Sequence, residues 1–145
     1  DLGVSSNRVI LLGRTSQYKH LNTYNQVDIS LDTFPYGGGA TTFESLCMGT
    51  PVVSLTDDSK QAHRYSSSIL SPLDLNEWVA KTKDEYVEIV CYWVRNLGEL
   101  LELRQELRDR VLTGTAKFVP QVEDAYREMW SRWCRGEELS PIYTK

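Results

Sequence analysis

The hydrophobic positions change their period along the chain. From about residue 8 to 70 they come as short runs rich in β-branched residues, set between longer mixed stretches. "RVILLG" (8–13), "VDISLDT" (27–33) and "TPVVSL" (50–55) read as strands. Their apolar positions are clustered more than alternating, which fits strands covered on both faces. "QYKHLNTYNQ" (17–26), "ATTFESLCMG" (40–49) and "QAHRYSSSIL" (61–70) read as helices of about ten residues between and after them. Helices joining strands in this way give parallel βαβ units with right-handed crossovers.

From 72 to 135 the period becomes helical. Thr82 and Glu85 have the spacing of a capping box. Beyond them Tyr86, Ile89, Val90, Trp93, Val94 and Leu97 form one apolar stripe. Leu100, Leu103, Leu107 and Val111 mark a second helix, which Thr113-Gly114-Thr115 should interrupt. A third helix should start near Pro120, carry Val122, Ala125, Tyr126, Met129, Trp130 and Trp133 into the core, and stop at Gly136. The chain is therefore expected to be α/β, a single domain fragment of about three parallel strands followed by a helical segment. Residues 1–70 form the βαβ part, 71–136 the helices, and 137–145 a loosely held tail.

Composition narrows the function classes. The 145 residues suffice for one domain with its own core. Hydrophobic and charged fractions of 41% and 25% are near globular averages and suggest neither a disordered nor a fibrous chain. A net charge of −4 argues against nucleic acid as a partner, since phosphate neutralisation needs a basic surface. No apolar run approaches membrane-spanning length and no signal peptide is visible, so no membrane association is expected. The opening DLGVSSNRV lacks a methionine and reads as a cut from something longer. Cys47, Cys91 and Cys134 form no CxxC and have no zinc spacing with the two histidines; they are expected as small buried hydrophobes in a reducing compartment.

Candidate chemistry concentrates in residues 32–44, "DTFPYGGGATTFE". Ligands of parallel sheets sit beyond the carboxyl ends of strands, where this stretch lies. Gly37, Gly38 and Gly39 would let a phosphate approach the backbone. The helix starting near Ala40 or Thr41 would supply free N–H groups and a positive dipole end, with hydroxyls from Thr41 and Thr42. Gly37–Thr42 is thus a candidate diphosphate cradle, with Glu44 one turn on to bond a ribose. The other reading is a plain glycine turn followed by a Thr41-x-x-Glu44 capping box. The pattern is neither a dinucleotide fingerprint nor a Walker A loop. His20, beside the same sheet edge, could stack on a base or bond a phosphate, or be a plain core-edge histidine, and Arg64 is a candidate phosphate contact or a helix cap. The Asp57-Asp58 pair reads as a loop, with no third ligand for a metal.

The stretch "VDISLDTFPYGGGATTFESLCMGTPVVSL", followed by "HRYSSSIL", resembles the O-GlcNAc transferase and SPINDLY-like glycosyltransferase family; "DEYVEIVCYWVRN", "LRQELRDRV" and "VEDAYREMWSRW" resemble its C-terminal helices. The resemblance implies the C-terminal part of a Rossmann-like domain in a GT-B fold. It implies inverting, metal-free transfer of a sugar such as GlcNAc from a UDP-sugar, or a GDP-sugar, to protein Ser or Thr, with no cofactor besides the donor. Protein acceptors would be held by upstream tetratricopeptide repeats, in the cytoplasm. By position it implies a nucleotide-sugar site at His20, Gly38, Gly39, Ala40, Thr41, Thr42 and Glu44, with no catalytic group in this chain. Gly39 stands where the animal enzymes carry a histidine, and Thr23 near a basic position of theirs. A retaining GT-B transferase acting on glycans is the alternative enzyme, though Tyr36 replaces the glutamate many of those carry. A non-catalytic interaction domain is the third reading.

Overall fold

The computed structural model describes residues 3–57 and 59–137. Its elements are α1 (Gln17–Thr23), β1 (Ser30–Leu31), α2 (Ala40–Cys47), β2 (Val52–Leu55), α3 (Tyr65–Leu70), β3 (Val79–Ala80), α4 (Lys83–Arg95) and α5 (Leu97–Cys134). The strands form one parallel sheet in the order β1-β2-β3. Ser30 pairs with Val52, Leu31 with Val53, Ser54 with Val79 and Leu55 with Ala80.

The central strand β2 is buried along Val52, Val53 and Ser54, which is why its apolar positions form a run. Leu46 of α2, Leu70 of α3, Trp78, and Leu100, Leu103, Leu107 and Val111 of α5 close over the sheet in one core with Tyr86 and Trp93 of α4. The capping box forms as its spacing requires: Thr82 Oγ1 accepts from the Glu85 N–H (3.1 Å), and the Glu85 carboxylate accepts from the Thr82 N–H (3.3 Å).

The three-stranded parallel sheet stands as expected, but its membership differs. Residues 8–13 are not a strand. A short 3-10 turn covers Ser6–Arg8, and Val9, Ile10, Leu11 and Leu12 are 51–90% exposed. A strand needs a neighbour, and none pairs with this run among the described residues. The third strand is instead β3, inside a region whose pattern reads as helical. Its two residues are too few to show a period of their own.

The separate helices expected around 100–111 and 120–135 are one helix, α5. Gly114 does not interrupt it; a Cβ there would lie 2.5 Å from Leu73 Cδ2, so the glycine admits the close approach of the 3-10 turn Ser71–Leu73. Thr115 returns its hydroxyl to the Val111 carbonyl at 2.8 Å, inside the helix. Pro120 lies within the helix. The stripe of Tyr126, Met129, Trp130 and Trp133 is exposed rather than core, because no described element packs on it. All three cysteines are exposed as well. In α2 the inward positions are Thr42, Ser45 and Leu46, which turns Cys47 outward. The tail beyond Glu137 lies outside the described residues.

Candidate functional site

The loop from β1 to α2 is organised by Asp32. Its N–H extends the β1–β2 ladder to the Val53 carbonyl (3.0 Å). Its Oδ1 accepts from the Gly38 N–H at 2.8 Å and the Thr33 N–H at 3.0 Å, and its Oδ2 accepts from Ser54 Oγ at 3.0 Å. Tyr86 Oη donates to the Asp32 carbonyl (3.0 Å). From the other side, Ser66 Oγ donates to the Gly38 carbonyl (2.9 Å) and lies 3.1 Å from Thr42 Oγ1. The Gly37 N–H reaches the Ala62 carbonyl at 3.3 Å.

This geometry decides between the two readings of Thr41 and Glu44. Helix α2 begins at Ala40, with Gly39 at its N-cap and no side-chain cap. Thr41 is already inside the helix, so the Thr41-x-x-Glu44 capping box does not form. The first intrahelical bond runs from the Phe43 N–H to the Gly39 carbonyl (3.2 Å). The N–H groups of Ala40, Thr41 and Thr42 therefore precede the ladder and mark the positive end of the helix. A cleft of about 350 Å³ takes Gly38, Thr41 and Thr42 into its wall, with Tyr24, Ser30 and Asp32. Gly39, Ala40, His20 and Glu44 are not part of that wall.

Glu44 turns to α1 instead. Its Oε2 lies 3.2 Å from His20 Nε2, and both side chains are partly exposed. His20 also meets Tyr24 edge to face, with centroids 5.5 Å apart. Burial, then the charge of Glu44, pushes the Tyr24 phenol up. Of the sequence candidates, His20 and Glu44 thus come together as a pair, and Gly38–Thr42 form the adjoining helix entrance. Arg64 closes the 3-10 turn Gln61–Arg64, two residues beyond the carbonyl that holds Gly37, with its side chain exposed.

Asp57 is held by His63, whose Nδ1 lies 2.8 Å from Oδ1, and by Ser59. Hydrogen bonds from Ser59, then His63, bring the Asp57 carboxyl down to about 2. Asp58 lies outside the described residues. Among the described residues no group of three His, Cys, Asp or Glu side chains could hold a metal, and no helix is long and apolar enough to cross a membrane.

The sequence reading gave no role to Asp32 or Ser66, and took Tyr86 only as part of an apolar stripe. Asp32 had one signal, a carboxylate at the strand end just before the glycines. Ser66 and the Tyr86 hydroxyl had none. Burial, then the charge of Asp32, pushes the Tyr86 phenol up to about 12. An unfolded chain ionises tyrosine from about pH 10. The stabilisation from a protonated Tyr86 is therefore complete below that pH and is lost as pH rises toward 12. Tyr86→Phe should remove this alkaline component and lower stability near neutrality by about 1 kcal/mol, through the lost bond to Asp32. A phenolate absorbance titration, paired with unfolding at each pH, checks it; identical alkaline unfolding of both proteins would refute it.

The profile of glycosyl transferase family 41 matches residues 1–119. The chain is 41% identical over 142 residues to the probable UDP-N-acetylglucosamine–peptide N-acetylglucosaminyltransferase SPINDLY of Hordeum vulgare, covering 94% of this chain and 15% of that protein. It is 27% identical over 146 residues to the UDP-N-acetylglucosamine–peptide N-acetylglucosaminyltransferase of Caenorhabditis elegans, covering 98% of this chain and 13% of that one. Among solved structures, a mutant O-GlcNAc transferase of Thermobaculum terrenum superimposes with a TM-score of 0.83 at 39% identity, covering 92% of this chain and 26% of that one. The chain thus spans about one seventh of the length of these curated relatives.

Proposed function

The chain belongs to glycosyl transferase family 41, and from that premise we propose that it is the nucleotide-sugar-binding segment of a protein O-glycosyltransferase. The donor is a UDP-sugar such as UDP-GlcNAc, and the acceptor is protein Ser or Thr. Inversion at the sugar, independence of any metal or cofactor, acceptor binding by tetratricopeptide repeats elsewhere in the protein, and a cytoplasmic location belong to the same proposal.

The observation that carries it is the uncapped N-terminus of α2, whose Thr41 and Thr42 line the cleft next to the Glu44–His20 pair. Its amides and hydroxyls suit the pyrophosphate, where leaving-group charge grows during transfer. A carboxylate can accept from two vicinal hydroxyls, so Glu44 suits a ribose. His20, on a neighbouring helix, offers a flat face for a base. The chemistry that activates the acceptor is assigned outside this chain, so residues 1–145 alone should show no transferase activity.

Calorimetric titration of the full-length protein with UDP and GDP tests the site. Glu44→Ala should weaken the preferred nucleotide by about 10- to 100-fold, as for the loss of charge-assisted bonds. Unchanged affinity and activity would favour the interaction-domain reading, which fits the family resemblance that puts Gly39 at a histidine of the animal enzymes and Thr23 near a basic position of theirs. Acceptor screening with peptides against sugars separates the protein transferase from a glycan transferase.

A further inference from the structure

We infer that Asp32 and Ser66 are positioning residues that hold the Gly38 peptide from both sides and so preset the α2 amides for a pyrophosphate. This rests on the reading of the loop as a donor-nucleotide site. Gly38 is gripped through its N–H by Asp32 (2.8 Å) and through its carbonyl by Ser66 (2.9 Å). Neither grip is itself loose. Asp32 continues the sheet ladder and takes a hydroxyl bond from Ser54, which is 1% exposed. Ser66 is also 1% exposed and lies against the Thr42 hydroxyl. The two anchors come from different elements, the end of β1 and the start of α3.

The arrangement answers a physical problem. A run of three glycines has a large conformational entropy, and ordering it on binding would subtract from affinity. Fixing the middle glycine in the folded state makes that loss before the ligand arrives. It also selects the donors. The Gly38 N–H is spent on Asp32, so anion contacts begin beyond it, at Gly39, Ala40 and Thr41. The space around Gly39 is open, with nothing within 4 Å of a Cβ placed there. The fixed part of the loop ends where that open space begins.

The test uses the full-length protein, UDP and GDP as probes, and amide hydrogen exchange of the free protein. Ser66→Ala should raise the Kd of the preferred nucleotide about 3- to 10-fold. It should also speed exchange at Gly38 while the unfolding transition stays cooperative. Asp32→Ala should act in the same direction, and Asp32→Asn, which keeps an acceptor oxygen, should restore most of both. A merely structural role would change melting temperature without this paired change in Kd and local exchange. Should Asp32→Ala not fold, Ser66→Ala carries the test alone. Folded variants that bind nucleotide as tightly as wild type overturn the inference. If wild type binds neither nucleotide, the site reading fails and the positioning role falls with it; the exchange data then still report whether the grip on Gly38 exists.

Discussion

Gly38→Ala should reduce nucleotide affinity by about 100-fold or more and destabilise the fold by about 1–3 kcal/mol, the range for overpacking a filled site. A Cβ on residue 38 would lie 2.6 Å from Thr42 Oγ1, 2.8 Å from Thr41 Oγ1 and 3.2 Å from Asp32 Oδ1. Thr42 and Asp32 cannot yield cheaply, since both are held by hydrogen bonds. Thr42 is 2% exposed and shares its hydroxyl with Ser66, so turning its stiff β-branched side chain breaks a buried contact. Moving the backbone instead pulls Gly38 from Asp32 and shifts the start of α2, where the candidate donors lie. Gly39→Ala is the control. Its Cβ would meet no protein atom within 4 Å, so its folding stability should fall less than that of Gly38→Ala, whatever the substitution does to nucleotide binding in the open space beside it. Calorimetry with UDP and GDP, together with thermal unfolding of both variants, checks the contrast. Equal losses of folding stability in the two variants would mean that the glycine run acts only as a flexible turn.

That contrast also shows what the sequence could and could not reveal. Three glycines between a strand and a helix located the loop. Which glycine is indispensable depends on Asp32, Thr42 and Ser66, and the Ser66 contact joins residues 28 apart in the chain. No local pattern carries such a bond. Thr41-x-x-Glu44 matched a capping box in spacing, but α2 starts two residues earlier than that box requires, which leaves Glu44 for His20. Thr82 and Glu85 have the same spacing and do form the box, because the helix starts where they need it.

The fold divides in a similar way. Periodicity identifies an apolar face and is silent on what covers it. Trp93 and Leu107 are covered, so their burial matched expectation even though the helix bounds around Leu107 did not. Tyr126, Trp130 and Trp133 obey the same spacing and face outward, at 65–67% exposure. Val9–Leu12 has strand composition without a strand to pair with. In both cases the pattern was read correctly as apolar, and the inference to burial required a neighbour that the described residues do not supply.

Where the cover is present, its loss should be severe. Trp78→Ala should destabilise the core by about 3–5 kcal/mol, a large share of the ~5–15 kcal/mol typical of a domain. Trp78 is fully buried and stacks on Trp93, with ring centroids 4.5 Å apart and an 18° interplanar angle. It immediately precedes β3, so a collapse there reaches the sheet directly. Its Nε1 has no hydrogen-bond partner among the described residues, and a buried unsatisfied N–H is itself unfavourable by about 1–3 kcal/mol. Trp78→Phe removes that group while keeping an aromatic ring on Trp93. The unfavourable term it relieves opposes the packing it loses, so its net effect should stay below about 2 kcal/mol. The Thr56 N–H, donated to the Ala80 carbonyl across β2 and β3 at 2.9 Å, is the local reporter. Its hydrogen exchange should accelerate by about 10²–10⁴-fold in the alanine variant and far less in the phenylalanine variant. Equal acceleration in the two would mean that indole volume, rather than the balance between stacking and the orphaned N–H, governs this part of the core.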